Sequence, residues 1–330
     1  MNKITGIIVG GVLLLAVGGF LVKKLVFPSS DSATIATTTT GFMDVLEPTA
    51  KITDVLDAAP SGTDDAGKYY AQAVEILYTN YDAILDATAD LGQGKADGYA
   101  EALKMFEEIR AHIGNGAKQA NMNYLAKHAS GKLQVSKTQK IVERLGETFE
   151  VLDILGDYYI KNNRYKDADA LYRDMLVAGW HMVQAHSHMH MTLYGVDIQS
   201  MALDGMSKSV EKDLDKTAKF ERRAPLHTYL GAIIDFKTRY DEKSRVFHNA
   251  RLQAGDMWNI AENDKDRAWR VQAILGMGMM RFTHTSKTNT ARNNAMIEKF
   301  LKSGDPVEKL AAQAAKAYTE TEFNTAGMDW

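Results

Sequence analysis

From Ser61 to Ala224 the chain contains no proline. Proline fixes φ and removes a backbone donor, so a stretch this long without one leaves helices free to run. Within it, apolar residues recur at spacings of three and four, as in Tyr70, Ala73, Val74, Leu77, Tyr81, Ile84 and Leu85, which is one face of a helix with 3.6 residues per turn. Alternating strand-like stretches are almost absent. The fold class read from this pattern is all-α. The periodicity predicts helices over 42–58, 64–91, 95–113, 117–129, 136–162, 165–178, 180–207, 209–223, 226–240, 242–263, 265–282, 288–303 and 306–320. The last has a clear start, because Asp305 can cap it, Pro306 suits its first turn and Glu308 stands three residues after the cap. Short turns oblige neighbouring helices to run antiparallel, and a string of such hairpins is the pattern of an α-solenoid.

Ahead of the helical body, Ile4 to Val22 is a run of 19 residues without a charge, bounded by Lys3 and by Lys23 and Lys24. At 1.5 Å per residue it would cross roughly 30 Å of hydrocarbon. Ala16 and Gly18 are spaced as a signal cleavage site requires, but the apolar run continues through Phe20, Leu21 and Val22 to two lysines, as a retained anchor does. The expectation is a single-pass membrane protein. An N-terminal anchor commonly exports the domain behind it, which predicts an extracytoplasmic body, periplasmic if the source is bacterial. Pro28, Ser29, Ser30, Ser32 and the run Thr37 to Thr40 have little to bury and read as a tether. The expected organisation is an anchor over 1–27, a tether over 28–41, and helical repeats over 42–224 and 225–330.

Several function classes drop out on composition and motif. With no cysteine, there is no thiol nucleophile, disulfide scaffold, Cys-ligated metal or covalent haem attachment. A formal charge of -3 does not suit a nucleic-acid binder, which usually carries a basic excess. Gly94-Lys95 is followed by Ala96 instead of the Ser or Thr of a phosphate loop, and Gly276-Met277-Gly278 lacks the third glycine of a dinucleotide fingerprint. There is no His-Glu-x-x-His, and Asp167 with Asp169 lacks the rest of a calcium loop. No catalytic residue and no cofactor are expected.

The segment VLDILGDYYIKNNRYKDADALYRDMLVAGW, Val151 to Trp180, resembles a tetratricopeptide repeat. Leu155-Gly156 precedes Tyr159 by the family's spacing, Tyr165 opens the second helix, and Ala168 and Tyr172 stand at its small and aromatic positions; Met175 and Trp180 depart from the pattern. In that family the first helix of each hairpin lines a concave groove. The resemblance therefore implies a partner-binding groove at Glu150, Asp153, Asp157, Ile160 and Lys161, and the three acids suit it to a basic protein or peptide partner. The bland alternative is the solvated face of an amphipathic helix. Near the C-terminus, AWRVQAILGMGMMRF and GDPVEKLAAQAAKAY resemble the second helices of HEAT-like repeats.

Four of the nine histidines fall in HMVQAHSHMH, at His181, His186, His188 and His190, among Met182, Met189 and Met191. On one continuous helix, His186 and His190 share a face one turn apart and His181 and His188 share another, so the four cannot converge on one ion. Two readings stand: histidines in or beside a helical core, or an extracytoplasmic metal or haem site using His186 and His190. The sequence favours a membrane-tethered scaffold that binds a partner.

Overall fold

The computed structural model describes residues 45–122, 135–187, 189–213, 216–249, 254–279 and 287–317, all within the compact unit Phe42–Trp330. They form an all-α protein of eleven helices with one small sheet. In chain order these are α1 (Ala66–Thr79), α2 (Tyr81–Leu91), α3 (Ala100–Ala117), α4 (Val135–Lys161), α5 (Tyr165–Gln184), α6 (Met189–Asp213), α7 (Lys216–Asn249), α8 (Ala254–Asn263), α9 (Arg267–Met279), α10 (Lys287–Phe300) and α11 (Pro306–Ala317). Strands β1 (Gly62–Asp65) and β2 (Gln119–Asn121) pair in parallel. Among the described residues no helix is long and apolar enough to cross a membrane; the run Ile4–Val22 lies outside them.

The most extensive helix contact joins α5 to α6, and glycine sets its closeness. A Cβ on Gly179 would stand 2.6 Å from the Gly195 carbonyl oxygen, and one on Gly195 would stand 2.6 Å from the Gly179 carbonyl oxygen. Neither neighbour can yield, because both are backbone. Two helical turns away along α5, the Tyr172 ring lies where side chains on Gly156 of α4 and Gly205 of α6 would have to be. The fully buried Ala168 completes this face of α5. Between α4 and α5 the chain reverses through Asn162 and Asn163, with Asn163 at φ 59°, a left-handed conformation that asparagine tolerates better than most residues. The Arg164 N–H donates to the Tyr159 carbonyl at 2.8 Å and closes the turn.

Tyrosine, more than phenylalanine, fills the wide parts of the core. Tyr70, Tyr159, Tyr172, Tyr229 and Tyr240 are all fully enclosed. A buried phenol must spend its hydroxyl on a partner, and several do so between elements: Tyr172 donates to Asp153 Oδ1 at 3.0 Å, Tyr229 to Gln199 Oε1 at 2.8 Å, and Arg110 donates to Tyr159 Oη at 2.8 Å.

Helix boundaries differ from the periodicity at several points, each for a local reason. The expected helix 64–91 breaks at Asn80, whose side-chain amide donates to the Ile76 carbonyl at 2.9 Å and so competes with the next helical turn. Within 42–58 the described residues form only a 3-10 turn, Ile52–Asp54. Gly98 at φ 84° delays the start expected at 95 until Ala100. In place of the helix expected over 117–129 is β2, tied to β1 by the Gly62 N–H on the Lys118 carbonyl at 2.9 Å and the Asp64 N–H on Gln119 Oε1 at 3.0 Å; 123–134 lie outside the described residues. The boundary expected between 224 and 225 falls inside α7, which continues through Pro225. Pro225 and Glu221, whose carbonyl loses its helical donor, are both exposed, so water can supply the missing bond.

Candidate functional site

The acidic face of α4 is present as spaced, but its members differ in what they are free to do. Glu150 and Lys161 are exposed, while Asp153, Asp157 and Ile160 are half-buried. Lys161 donates its Nζ to the Gly92 carbonyl, and the neighbouring Asn162 side chain donates to the Gly94 carbonyl at 3.0 Å. That lysine therefore ties the end of α4 to the segment after α2. Ile160 packs against the core. Asp153 is also committed, since it accepts from the Tyr172 hydroxyl. Burial pushes the Asp153 carboxyl above its ordinary range, with the nearby Asp157 and Asp204 adding to the rise, while the Tyr172 hydrogen bond and Lys208 oppose it.

Asp204 and Lys208, from α6, were not legible in the sequence as part of this face. Both are exposed and pair with each other at 2.9 Å. They reach Asp153 because α4 and α6 pack side by side, with Tyr172 inserted between their glycines. At the other end of the α4 face, Tyr78 donates to Glu147, the Tyr78 and Tyr81 rings stack at 5.5 Å, and the Arg144 guanidinium lies 4.3 Å from the centre of the Tyr78 ring. Tyr81 is one of the few large apolar residues left 38% exposed.

A separate, mainly polar cleft of about 450 Å³ opens where the sheet meets the end of α5. Asp64, Asp65, Asn121, Gln184 and Arg267 line it, and His181 forms part of its wall. His181 is buried, with Nε2 2.8 Å from the Gln119 carbonyl oxygen and Nδ1 2.8 Å from the Tyr70 hydroxyl. A carbonyl can only accept, which assigns the ring proton to Nε2 and makes Nδ1 the acceptor of the Tyr70 hydroxyl. Burial holds this imidazole down to about 4, against the opposing pull of the Gln119 carbonyl and Asp65. His181 is thus neutral near pH 7 with both nitrogens spent, so it has no lone pair to offer a metal. It serves to bolt α5 to α1 and β2.

The other tract histidines are separated by a break that the periodicity did not reveal. Helix α5 runs on through Gly179, where the sequence suggested a boundary, and ends at Gln184; α6 begins at Met189. His186 therefore lies in the connection, at φ 41°, and its Nδ1 stands 3.3 Å from Asp266 Oδ1. His190 is in the first turn of α6, so no single helix brings His186 and His190 one turn apart. His188 lies outside the described residues. Among the described residues no group of three or more His, Asp or Glu is arranged to hold a metal ion.

No family model, no curated protein and no solved structure matches the chain.

Proposed function

We propose that this protein is a membrane-tethered α-solenoid of tetratricopeptide-like hairpins that binds a basic protein or peptide segment and acts as a scaffold or assembly factor. Ile4–Val22 is its anchor in this reading, and the helical body is extracytoplasmic. The observation that carries the binding function is the acidic face shared by two helices: Asp157 and the half-buried Asp153 on α4, with Asp204 beside them on α6. Charges from adjacent helices make a surface with depth, which a solvated stripe on one helix does not. Parallel support comes from the order of packing, in which α4 and α6 touch each other and α5 packs on both. That is how the first helices of successive hairpins would come to line one groove. Complementary charge speeds encounter and selects partners more than it adds affinity.

The test uses Asp157→Lys with Asp204→Lys in the full-length protein, leaving Asp153 to hold Tyr172. Partners are captured by crosslinking in native membranes and identified for parent and variant. Capture of a basic partner should be lost in the variant and should weaken in the parent as salt rises above ~0.15 M, with the circular dichroism spectrum unchanged. The same partners recovered at the same yield by both proteins would sink the acidic groove as the binding site. Recovery of the parent in the soluble fraction of a detergent-free wash would sink the anchor.

A further inference from the structure

Three bonds of the chain join an aspartate or asparagine to a following glycine: Asp97–Gly98, Asn115–Gly116 and Asp204–Gly205. Each is a chemical weak point, because a glycine nitrogen has no side chain beside it to obstruct its attack on the preceding side-chain carbonyl. In an unfolded chain Asn115 would react first, since ammonia leaves an amide more readily than water leaves a carboxyl. The fold reverses that order.

Asn115 and Gly116 lie in the last turn of α3, where the backbone N–H is committed to the carbonyl four residues back. Gly116 is buried with the Tyr70 ring where its side chain would be, and Lys118 Nζ donates to Asn115 Oδ1 at 3.3 Å. Asp204 and Gly205 lie in the interior of α6, with the Tyr172 ring against the glycine. At both bonds, cyclisation would require the helix to open and the glycine to pull away from a buried ring. Asp97–Gly98 is different. It sits in the connection between α2 and α3, in a turn closed by the Tyr99 N–H on the Ala96 carbonyl at 3.0 Å. Both residues are exposed, and a Cβ on Gly98 would have nothing within 4 Å. Gly98 holds φ at 84°, as glycine does in tight turns, and among the described residues its N–H donates to no acceptor.

We propose that Asp97–Gly98 is a self-modification site, where the folded protein converts aspartate to isoaspartate while its other two such bonds are held inert by their helices. The Gly98 nitrogen forms a bond to Cγ of Asp97, and the carboxyl hydroxyl leaves as water with the amide hydrogen. The product is a five-membered succinimide. Water then adds to the main-chain carbonyl carbon of Asp97, whose bond to the Gly98 nitrogen breaks, so the chain now runs through Cγ and the α-carboxylate is free. No oxidant or cofactor is needed, and the net composition is unchanged. The modification lengthens the backbone by one carbon between the Gly94 carbonyl, to which Asn162 donates, and the start of α3. Nothing packs on Gly98 to resist it.

The experiment ages the full-length protein and its Asp97→Asn variant near neutral pH, folded and in urea, and reads each bond by mass spectrometry of the digested chain. A protease that cuts ahead of aspartate but not isoaspartate should progressively lose its cut at Asp97 in the folded parent. It should keep the cut at Asp204, and Asn115 should keep its amide. The variant places two Asn-Gly bonds with the same leaving group in one molecule. When it is folded, the amide at position 97 should be converted to acid about tenfold or more faster than Asn115, because the helical bond must first open locally. In urea the two should convert at similar rates. A folded variant in which position 97 converts no faster than Asn115, or a folded parent in which Asp97 converts no faster than Asp204, would overturn the proposal.

Discussion

Two parts of the helical body differ in how much buried charge holds them together. Across α4, α5 and α6 the joint is made by shape, with Gly179 backed against Gly195 and Tyr172 filling the space that Gly156 and Gly205 leave open. Where α7, α9 and α11 meet, Gly278 also backs closely on Ala315, but charge is added to shape, with Lys243, Asp264, Asp266 and Glu308 withdrawn from water and Arg270 part-buried against Glu308. A joint made by shape tolerates salt and acid but not an added methyl group. A joint made by buried charge tolerates small changes of volume but not the loss of one partner, because the charge left behind has neither water nor counter-ion.

The largest effect should come from breaking the charged joint on one side. Lys243→Met leaves Asp264 buried without its cation and should cost about 3–5 kcal/mol, read as a fall in the urea midpoint. Adding Asp264→Asn to it should recover much of that loss, since the neutral amide still accepts from the Asp266 N–H. If the double variant is no better than the single one, Lys243 acts by packing its stem, and the contrast between the two joints is mistaken.

The shape-made joint has its counterpart in Gly179→Val. Backbone cannot give way as a side-chain tip can, so α5 and α6 must separate, at a cost of about 3 kcal/mol. That loss should be the same at low and high salt, whereas the penalty of Lys243→Met need not be. An unchanged melting temperature would mean that the two backbones do not touch.

Acid sharpens the comparison through His181. Its folded value of about 4 lies below the ordinary 6.5, so the unfolded chain binds the proton more readily. The associated stability is full above pH ~6.5 and disappears as pH falls toward ~4, an amount on the order of 3 kcal/mol. His181→Phe should be less stable at neutral pH by about 2 kcal/mol, because it strands the Gln119 carbonyl and the Tyr70 hydroxyl. The difference between parent and variant should then shrink, and by these magnitudes reverse, as pH falls from ~6.5 to ~4; a constant difference would show that His181 does not stay neutral in the fold. Asp174 works in the opposite sense, since burial raises its carboxyl to about 6. Its cost is present at neutral pH and relieved on acidification, so Asp174→Asn should raise the melting temperature at pH ~7 more than at pH ~4.

The smallest effect belongs to the exposed pairs outside both joints. Glu298→Ala, which removes the partner of Lys316 at 2.6 Å on the surface, should change stability by no more than ~0.5 kcal/mol. A larger loss by calorimetry would mean that surface charge, too, helps to hold α10 to α11.

Much of this architecture could be read from periodicity because helix is a local decision. The C-terminal end of α4 and the start of α11 come from apolar spacing, from the Asn162-Asn163 pair and from the Asp305 cap, whose Oδ1 accepts from the Val307 N–H at 2.8 Å. The acids at 150, 153 and 157 fall along one face of α4 for the same reason. The features hidden from the sequence depend on partners distant along the chain. Gly179 looks like a helix end until Gly195 is seen against it, and Pro225 looks like a break until its exposed surroundings are known. His186 and His190 look one helical turn apart until the chain is seen to break between α5 and α6, His181 gives no sign of its partners Gln119 and Tyr70, and Asp204 has no sequence link to Asp153. Periodicity records which side of a helix avoids water, and that alone determined the all-α class and the face that α4 presents. Which helix meets that face, and whether a buried polar atom there finds a partner, were decided by tertiary packing, because those energies arise only between segments that folding brings together.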